Sequence, residues 1–380
     1  MSLRALVLCS DEKIMRVLRR VLSDLEIGVE HCTDADSTAR RLTRQRFEAV
    51  IVDCHDEEVA AQVLKSVRSA PCNKHAIAVA IIDGRKAVRS AFALGAHFVL
   101  YEPVSSERAK ASFRAARALM KCERRLNTRV PVEIPVTLAL ANGQLKTTTS
   151  DLSEGGMAIQ RRTQNAGPVR IKFTLPGAEH VIECAAQVAW ENGGSQSGLR
   201  FVDLPPEHRT HLKAWLAKHS PEIEADDPPA PCKLTDLSLG GCYLEIVAPF
   251  PVRTRVLLAM RVAELRVEVQ GVVRVMHPEI GMGVEFTRTT DQQRQQVEKF
   301  IQALMNSNGA LPELAVAPEG MEEPEPPAPA QASNNNNDVD DPLLGLFRRK
   351  TELTTESFLN ELRKQRGPGP EAAQAAAAAV

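Results

Sequence analysis

The chain has 380 residues, a formal net charge of −1 and a hydrophobic fraction of 43%, which are ordinary values for a globular protein of two or three domains. The balanced charge argues against a nucleic-acid partner, and an aromatic fraction of 4% disfavours base-stacking platforms. No apolar run has membrane-spanning length and ALVLC is too short for a signal-peptide core, so we expect a cytoplasmic protein.

The eight cysteines and the histidines do not indicate a metal site. No two cysteines form a CxxC pair, so free thiols in a reducing cytoplasm are the expected state. His208 and His211 are three residues apart on a predicted helix, but no third ligand follows nearby. We therefore expect surface histidines and no bound metal or cofactor.

The first 120 residues alternate apolar runs with amphipathic segments. LRALVLCS, FEAVIVDC and HAIAVAII have the composition of buried strands, and EKIMRVLRRVLSDL and SSERAKASFRAARALMKC have helical periodicity. This alternation predicts a doubly wound α/β domain with a parallel sheet and helices on both faces. The pattern over residues 1–120 resembles the receiver (CheY-like) domain of two-component signalling, and Asp53 falls where a receiver carries its phosphoacceptor.

The residues that a receiver uses around its phosphoacceptor are replaced here. Where the resemblance implies an acidic Mg²⁺-binding pair, the chain has Cys9 and Ser10. Ile82 stands in place of the expected hydroxyl residue, and Glu102 in place of the expected lysine. A phosphoryl group on Asp53 would meet a negative charge in place of a positive one. We interpret this domain as a degenerate receiver that serves docking or dimerisation.

A short stretch occurs twice in the chain, as SDLSEGG from Ser150 and TDLSLGG from Thr235. Asp151 and Asp236 are 85 residues apart (236 − 151), and the later segments GLRFVDL and GVEFTRT have the same separation. A constant offset between two landmarks indicates an internal repeat. Each copy also ends in a segment with apolar residues at helical spacing.

Arginines precede the first copy in the order RRxxxR. Pro131 disfavours a helical Val130, so we expect the arginines to lie on a flexible linker. Such a cluster alone is typical of a solvated basic face. Followed by strand-like segments, DxSxxG and a closing helix, it resembles the PilZ domain, a small β-barrel that binds cyclic di-GMP, over residues 121–220. The resemblance assigns ligand binding to Arg124, Arg125, Arg129, Asp151, Ser153 and Gly156.

The chemistry of these residues suits the ligand. A guanidinium can bind phosphate oxygens or the O6/N7 edge of guanine with two hydrogen bonds, and can stack on a purine ring. The carboxylate of Asp151 can accept hydrogen bonds from guanine, and Gly156 allows close approach of the backbone. The competing interpretation of DLSEGG is an Asx-turn between two strands, which needs no ligand.

The second copy, in a predicted degenerate PilZ domain at residues 221–306, lacks the arginines. At an offset of 85, Arg125 projects onto Thr210 and Arg129 onto Ala214. The first strand projects onto SPEIEADDPPAPCKL, which has the composition of a linker, so the presence of that strand is open. We interpret the second turn, formed by Asp236, Ser238 and Gly241, as one kept for the fold.

Beyond the repeats, the composition predicts a tail in three parts. Residues 307–341 are rich in Pro, Glu and Asn and predict a disordered linker. Residues 342–366 place Phe358 and Leu362 four apart, which predicts a short amphipathic helix. This helix could dock on a partner or fold back on the protein. The Ala-rich residues 367–380 predict disorder.

The sequence thus predicts a multidomain protein: an α/β receiver-like domain, two all-β PilZ barrels each with a closing helix, and a disordered tail. No catalytic pattern is present, so we expect a non-enzymatic cyclic di-GMP-binding adaptor. Ligand binding would change domain orientation and pass the signal to a protein partner, through the receiver-like domain or the C-terminal helix. The alternatives are a response regulator phosphorylated at Asp53 and a ligand-free scaffold. Downstream output, partner and oligomeric state, including a homo-oligomer, are left open.

Overall fold

The structure is a computed structural model. It describes residues 3–84, 87–140, 143–163, 167–178, 180–192, 196–220, 224–287, 291–306 and 311–322. The segments predicted at 342–366 and 367–380 lie outside the described residues. Residues 1–322 form one unit that contains three consecutive domains.

The N-terminal domain alternates strands with helices. Its elements are β1 (Leu3–Leu8), α1 (Glu12–Asp24), β2 (Ile27–Cys32), α2 (Ala35–Arg44), β3 (Ala49–Asp53), α3 (Glu57–Ser69), β4 (Ile77–Ile82), α4 (Val88–Ala93), β5 (Phe98–Tyr101) and α5 (Ser106–Asn127). The strands are parallel in the order β2-β1-β3-β4-β5, which is the flavodoxin-like order found in CheY. The predicted α/β receiver-like fold is confirmed.

Burial explains why the strands of this domain are apolar along their whole length. All six residues of β4 and the first four of β3 are buried, because helices cover both faces of a parallel sheet. Four of the five helices of this domain begin after an aspartate or a serine, and α4 begins after Ala87. Asp11 caps α1, and its Oδ1 accepts hydrogen bonds from the backbone N–H groups of Lys13 (2.6 Å) and Ile14 (3.3 Å).

The second domain is a closed antiparallel barrel followed by a helix. Its elements are β6 (Val130–Pro131), β7 (Pro135–Leu140), β8 (Gly143–Leu152), β9 (Gly156–Ile159), β10 (Pro168–Thr174), β11 (Val181–Glu191), β12 (Ser197–Asp203) and α6 (Pro206–His219). The strands pair in the order β6-β8-β7-β10-β11-β12-β9, and pairing of β8 with β9 closes the sheet. Alternate residues of β10 are buried, as expected for strands with one face towards a barrel interior.

The third domain repeats this architecture. Its elements are β13 (Ala230–Leu237), β14 (Gly241–Glu245), β15 (Thr254–Val262), β16 (Leu265–His277), β17 (Gly281–Phe286), α7 (Asp291–Asn306) and β18 (Glu313–Met321), and its strands close in the order β13-β14-β17-β16-β15-β18. Each barrel has an irregular register just before its repeated turn, between Thr149 and Asp151 and between Leu234 and Asp236. The two predicted barrels with closing helices are confirmed.

The second barrel obtains its missing strand from the far side of its closing helix. In the first barrel, β7 pairs with β8 and β10. In the second barrel, β18 pairs with β13 and β15, which are the counterparts of β8 and β10. The second barrel is therefore a circular permutation of the first. The prediction of a disordered linker over 307–341 is wrong for Glu313–Met321, because these residues complete a ladder with both neighbours.

Helix α5 connects all three domains. It extends across the boundary predicted between residues 120 and 121 and ends at Asn127. A carboxylate oxygen of Glu123, in its last turns, accepts a hydrogen bond from the backbone N–H of Met321 in β18 (2.7 Å). One continuous apolar cluster contains residues of α1, α5 and the second barrel. None of the helices that the structure describes has the length and hydropathy to cross a membrane.

Candidate functional site

The predicted ligand arginines lie at the end of α5, and the prediction that they lie on a flexible linker is wrong. Arg124 and Arg125 belong to the last turn of the helix, which ends at Asn127. Arg129 follows two residues later, directly before β6. The effect of Pro131 on backbone conformation reaches only Val130, so the helix can extend to within a few residues of the proline.

Arg125 is almost completely buried between three elements. Its side chain is 8% exposed; Nε donates a hydrogen bond to Glu154 in the repeated turn, and Nη1 to Asp226 after α6. Its Nη2 lies 3.5 Å from Sγ of Cys122. Glu154 is also buried, with 6% of its side chain exposed, and its second oxygen lies 3.9 Å from Nζ of Lys213. Arg125 therefore ties α5 to the first barrel.

Arg129 joins the two halves of the motif. Its Nη1 donates a hydrogen bond to Oδ1 of Asp151 over 2.5 Å. The contact is accessible, because the side chains of Arg129 and Asp151 are 43% and 26% exposed. Strand pairing places Arg129 close to Asp151, because β6 lies antiparallel to the end of β8 and Pro131 is opposite Asp151. An arginine and a carboxylate thus meet at the surface of the first barrel. Arg124 lines a small hollow together with Leu3, Lys121, Arg125 and Glu224, and neither Arg129 nor Asp151 is among the residues that line it.

Ser153 and Gly156 have roles that the fold alone explains. The backbone N–H and the Oγ of Ser153 both donate to the carbonyl oxygen of Gly156, at 2.8 and 3.1 Å. A Cβ on Gly156 would overlap the carbonyl oxygen of Leu199 in β12. Glycine is therefore required where the turn enters β9, whatever the turn binds.

The second turn has the same geometry without the arginines. Ser238 donates to the carbonyl oxygen of Gly241 at the same two distances, 2.8 and 3.1 Å, and a Cβ on Gly241 would overlap the carbonyl oxygen of Val284. The counterpart of Glu154 is Leu239, which is 39% exposed. Among the residues that the structure describes, no arginine contacts this turn as Arg125 contacts the first.

Two acidic contributors were missed at the sequence level. Glu154 occupies a variable position of DxSxxG, and Asp226 lies in a segment whose composition predicts a linker. Both bind Arg125 across the chain, 29 and 101 residues away. No local pattern links residues at such separations, although the charge difference between Glu154 and Leu239 was a usable signal.

Asp53 lies at the end of a central strand, as the phosphoacceptor of a receiver does, but the side chains around it differ from those of a receiver. Asp53 ends β3, and one of its carboxylate oxygens lies 3.4 Å from Sγ of Cys9. Burial, followed by the charge of Asp53, raises the pKa of Glu102, while burial raises the pKa of the Cys9 thiol to about 12. Asp11 caps α1. Asp53 thus faces an uncharged thiol and a further acidic side chain.

The PilZ domain family model matches residues 123–218 and again residues 216–303. Among solved structures, the PilZ domain of CeSA from a cellulose-synthesizing bacterium is 25% identical, with 23% of this chain and 91% of that chain covered and a TM-score of 0.19. The receiver domain of a sensor histidine kinase from Pseudomonas aeruginosa PAO1 is 16% identical over 32% of this chain and 98% of its own, with a TM-score of 0.28.

The signal receiver domain of an HD domain-containing protein from Pseudomonas fluorescens Pf-5 is 20% identical over 32% of this chain and 92% of its own, with a TM-score of 0.28. Among curated proteins, no match was found. The chain contains two PilZ domains in tandem, the matched regions coinciding with the two barrels, after a domain of receiver-like topology. PilZ domains are cyclic di-GMP-binding modules, and the two matches indicate binding of this nucleotide.

Proposed function

We propose that the protein is a non-enzymatic adaptor that binds cyclic di-GMP at the first PilZ domain only. The ligand site comprises the six residues that the motifs name: Arg124, Arg125, Arg129, Asp151, Ser153 and Gly156. The observation that carries the proposal is the contact between Arg129 and Asp151, one from each half of the motif. The second barrel has the turn and lacks the arginines.

In the free protein, carboxylates already orient the arginine side chains of this site. Arg125 and Arg129 both bind carboxylates, so their guanidinium groups have oriented donors. A phosphate of the ligand can replace a carboxylate on such a group and can accept two hydrogen bonds from one guanidinium. Asp151, once released by Arg129, is free to accept hydrogen bonds from the N1 and N2 donors of guanine.

The position of α5 gives a route from ligand binding to domain orientation. The C-terminal part of α5 contacts the first barrel through Arg125 and Glu154, and the second barrel through Glu123 and Met321. A ligand that binds Arg125 or Arg129 and moves it alters the position of the end of α5. The contacts of this helix with the first and the second barrel then change together. Domain orientation then differs between the free and bound protein, which a protein partner can recognise.

The test is isothermal titration of cyclic di-GMP into the wild type and into matched variants 85 residues apart. Asp151→Ala is expected to weaken binding at least about tenfold, since hydrogen bonds to charged groups contribute roughly 1.5–3 kcal/mol. Asp236→Ala removes the same residue type from the same turn of the second barrel and is expected to leave affinity unchanged. Arg129→Ala, at an exposed arginine, should weaken binding as Asp151→Ala does.

The alternatives predict other results. A phosphorylation-driven regulator would incorporate label from acetyl phosphate at Asp53, and Asp53→Asn would abolish it. In our proposal, Asp53→Asn binds cyclic di-GMP like the wild type. Absence of binding to the wild type would refute the proposal and favour a ligand-free scaffold. Small-angle scattering that does not change at saturating ligand would refute the reorientation and leave the binding site intact.

A further inference from the structure

Residues 224–227, which precede β13, are acidic and lie along α5. Three carboxylates occur within four residues, at Glu224, Asp226 and Asp227. Asp227 accepts hydrogen bonds from Arg117 (2.5 Å) and Lys121 (2.9 Å). Lys121 also lies 3.4 Å from Glu224 and donates to the carbonyl oxygen of Ala225 over 3.1 Å. We call residues 224–227 the acidic segment.

The cations that hold this segment form one stripe on the helix. Arg117, Lys121 and Arg125 are spaced by four residues, so they lie on the same face of α5. The stripe ends at Arg125, the arginine that begins RxxxR, and Asp226 binds Nη1 of this residue. The segment that connects the two barrels therefore occupies part of the proposed phosphate site.

The two carboxylates on Arg125 differ in how easily they can be exchanged. The side chain of Glu154 is 6% exposed, whereas that of Asp226 is 50% exposed and has Lys213 as a second partner at 3.2 Å. Removing Glu154 from Arg125 would require opening the contact between the turn and the helix. Asp226 can exchange with a soluble anion through solvent without any change in the barrel.

We propose that the acidic segment is an internal competitor for the ligand phosphates, and that cyclic di-GMP displaces it from α5. This inference rests on the proposed function. Asp226 and a phosphate oxygen cannot both accept a strong hydrogen bond from the same N–H of Arg125 Nη1, so docking of Asp226 opposes binding of the ligand at that nitrogen. The segment joins α6 to β13, so its release also frees the connection between the two barrels.

The test compares Asp226→Asn and the double variant D226N/D227N with a control of the same charge change. The control is Asp24→Asn with Glu268→Gln, which removes two exposed carboxylates paired with Lys110 and Arg266, neither of which is an arginine of the proposed site. Affinity for cyclic di-GMP is expected to rise about two- to fivefold in Asp226→Asn and up to about tenfold in D226N/D227N. The control should bind like the wild type.

A second measurement detects the segment itself. Glutamyl endopeptidase can cut after Glu224, whose carboxylate is held by Lys121 in the docked state. Cleavage there, measured from the masses of the two fragments, is expected to accelerate when cyclic di-GMP is added to the wild type. In D226N/D227N it should be faster than in the wild type without ligand, since that variant keeps Glu224 and loses the ion pairs of Asp226 and Asp227 with Arg117, Lys121, Arg125 and Lys213.

The outcomes separate the two proposals. Equal affinities for wild type, control and both variants, with binding in all of them, would overturn the competition and leave the proposed function standing. Weaker binding in Asp226→Asn would also overturn it, since that carboxylate would then support the ligand. Absence of binding in every protein would overturn both the proposed function and the competition.

Discussion

The buried pair between Arg125 and Glu154 can be tested by writing the residue of the second repeat into the first, as Glu154→Leu. Both side chains are less than a tenth exposed. Removing one partner of a buried ion pair typically costs about 3–5 kcal/mol, because the other charge stays buried without compensation. Here Asp226 still binds Arg125, so we expect a loss of about 2–4 kcal/mol in the free energy of unfolding of the first barrel.

Tryptophan fluorescence during urea denaturation isolates this domain. The chain has two tryptophans, Trp190 in β11 and Trp215 in α6, and both belong to the first barrel unit. With a slope of about 1–2 kcal/mol per molar urea for a domain of this size, the midpoint should fall by at least about 1 M.

The matched control is Glu183→Leu on β11. It removes a carboxylate that pairs with Lys172 over 3.0 Å at the solvent-exposed surface of the same barrel, where both side chains are about half exposed. Exposed pairs contribute about 0–1 kcal/mol, so the midpoint should hardly change. Equal effects of Glu154→Leu and Glu183→Leu would refute the argument that the buried pair holds α5 against the first barrel.

Two further predictions concern the packing of β18 and the N-terminal domain. Gly320→Ala should destabilise the second barrel by about 1–3 kcal/mol, because Gly320 has φ +110° and a Cβ would overlap Leu126 of α5. The control is Gly177→Ala, where φ is +77° and nothing lies within 4 Å of a Cβ. Thermal unfolding should show a smaller loss of stability for this control. His97 is half-buried, and loss of solvation followed by the charge of Arg68 lowers its pKa from 6.5 to about 3. The unfolded chain therefore binds a proton that the folded domain does not, so stability present above pH 6.5 falls by about 1.4 kcal/mol per pH unit between pH 6.5 and 3. Subtracting the unfolding free energies of His97→Asn from those of the wild type at each pH should reveal this slope, and parallel curves would contradict it.

The parts of the fold that the sequence predicted are those encoded by local periodicity. The alternation of apolar strands and amphipathic helices in the first domain needs only neighbouring residues to be recognised. The repeat was predicted from the recurring turn and its constant offset, and the barrel fold of each copy was implied by the resemblance to the PilZ domain. The end of α5 was predicted less well, because the influence of Pro131 was extended from one residue to a whole segment.

Strand β18 could not be predicted by the same means. Its residues include Pro318 and Gly320, which disfavour a central strand, and Pro- and Glu-rich sequence follows it. It becomes a strand because it meets β13 and β15, about 80 and 60 residues earlier in the chain, at the open position of the barrel. Pairing with distant partners overrides local composition here.

In the candidate site, too, some contacts could be expected from the sequence and others could not. The contact between Arg129 and Asp151 follows from a motif whose two halves the sequence displays. The contacts of Arg125 do not, because they depend on how α5 crosses the first barrel and on the course of the acidic segment. Long-range charge pairs of this kind have no sequence period, so only the three-dimensional arrangement reveals them.

The second barrel has the same turn as the first without the arginines. Equivalent substitutions in the two turns therefore separate effects on ligand binding from effects on folding. Both turns have the same serine-to-carbonyl distances and the same glycine contact, although only the first lies beside arginines. Ser153 and Gly156 are therefore required by the turn itself, and loss of binding after their substitution would not distinguish a lost contact from a damaged barrel. Arg129 and Asp151 do make that distinction: their contact is exposed, and Asp236 offers the identical turn position without an arginine partner from the α5 end.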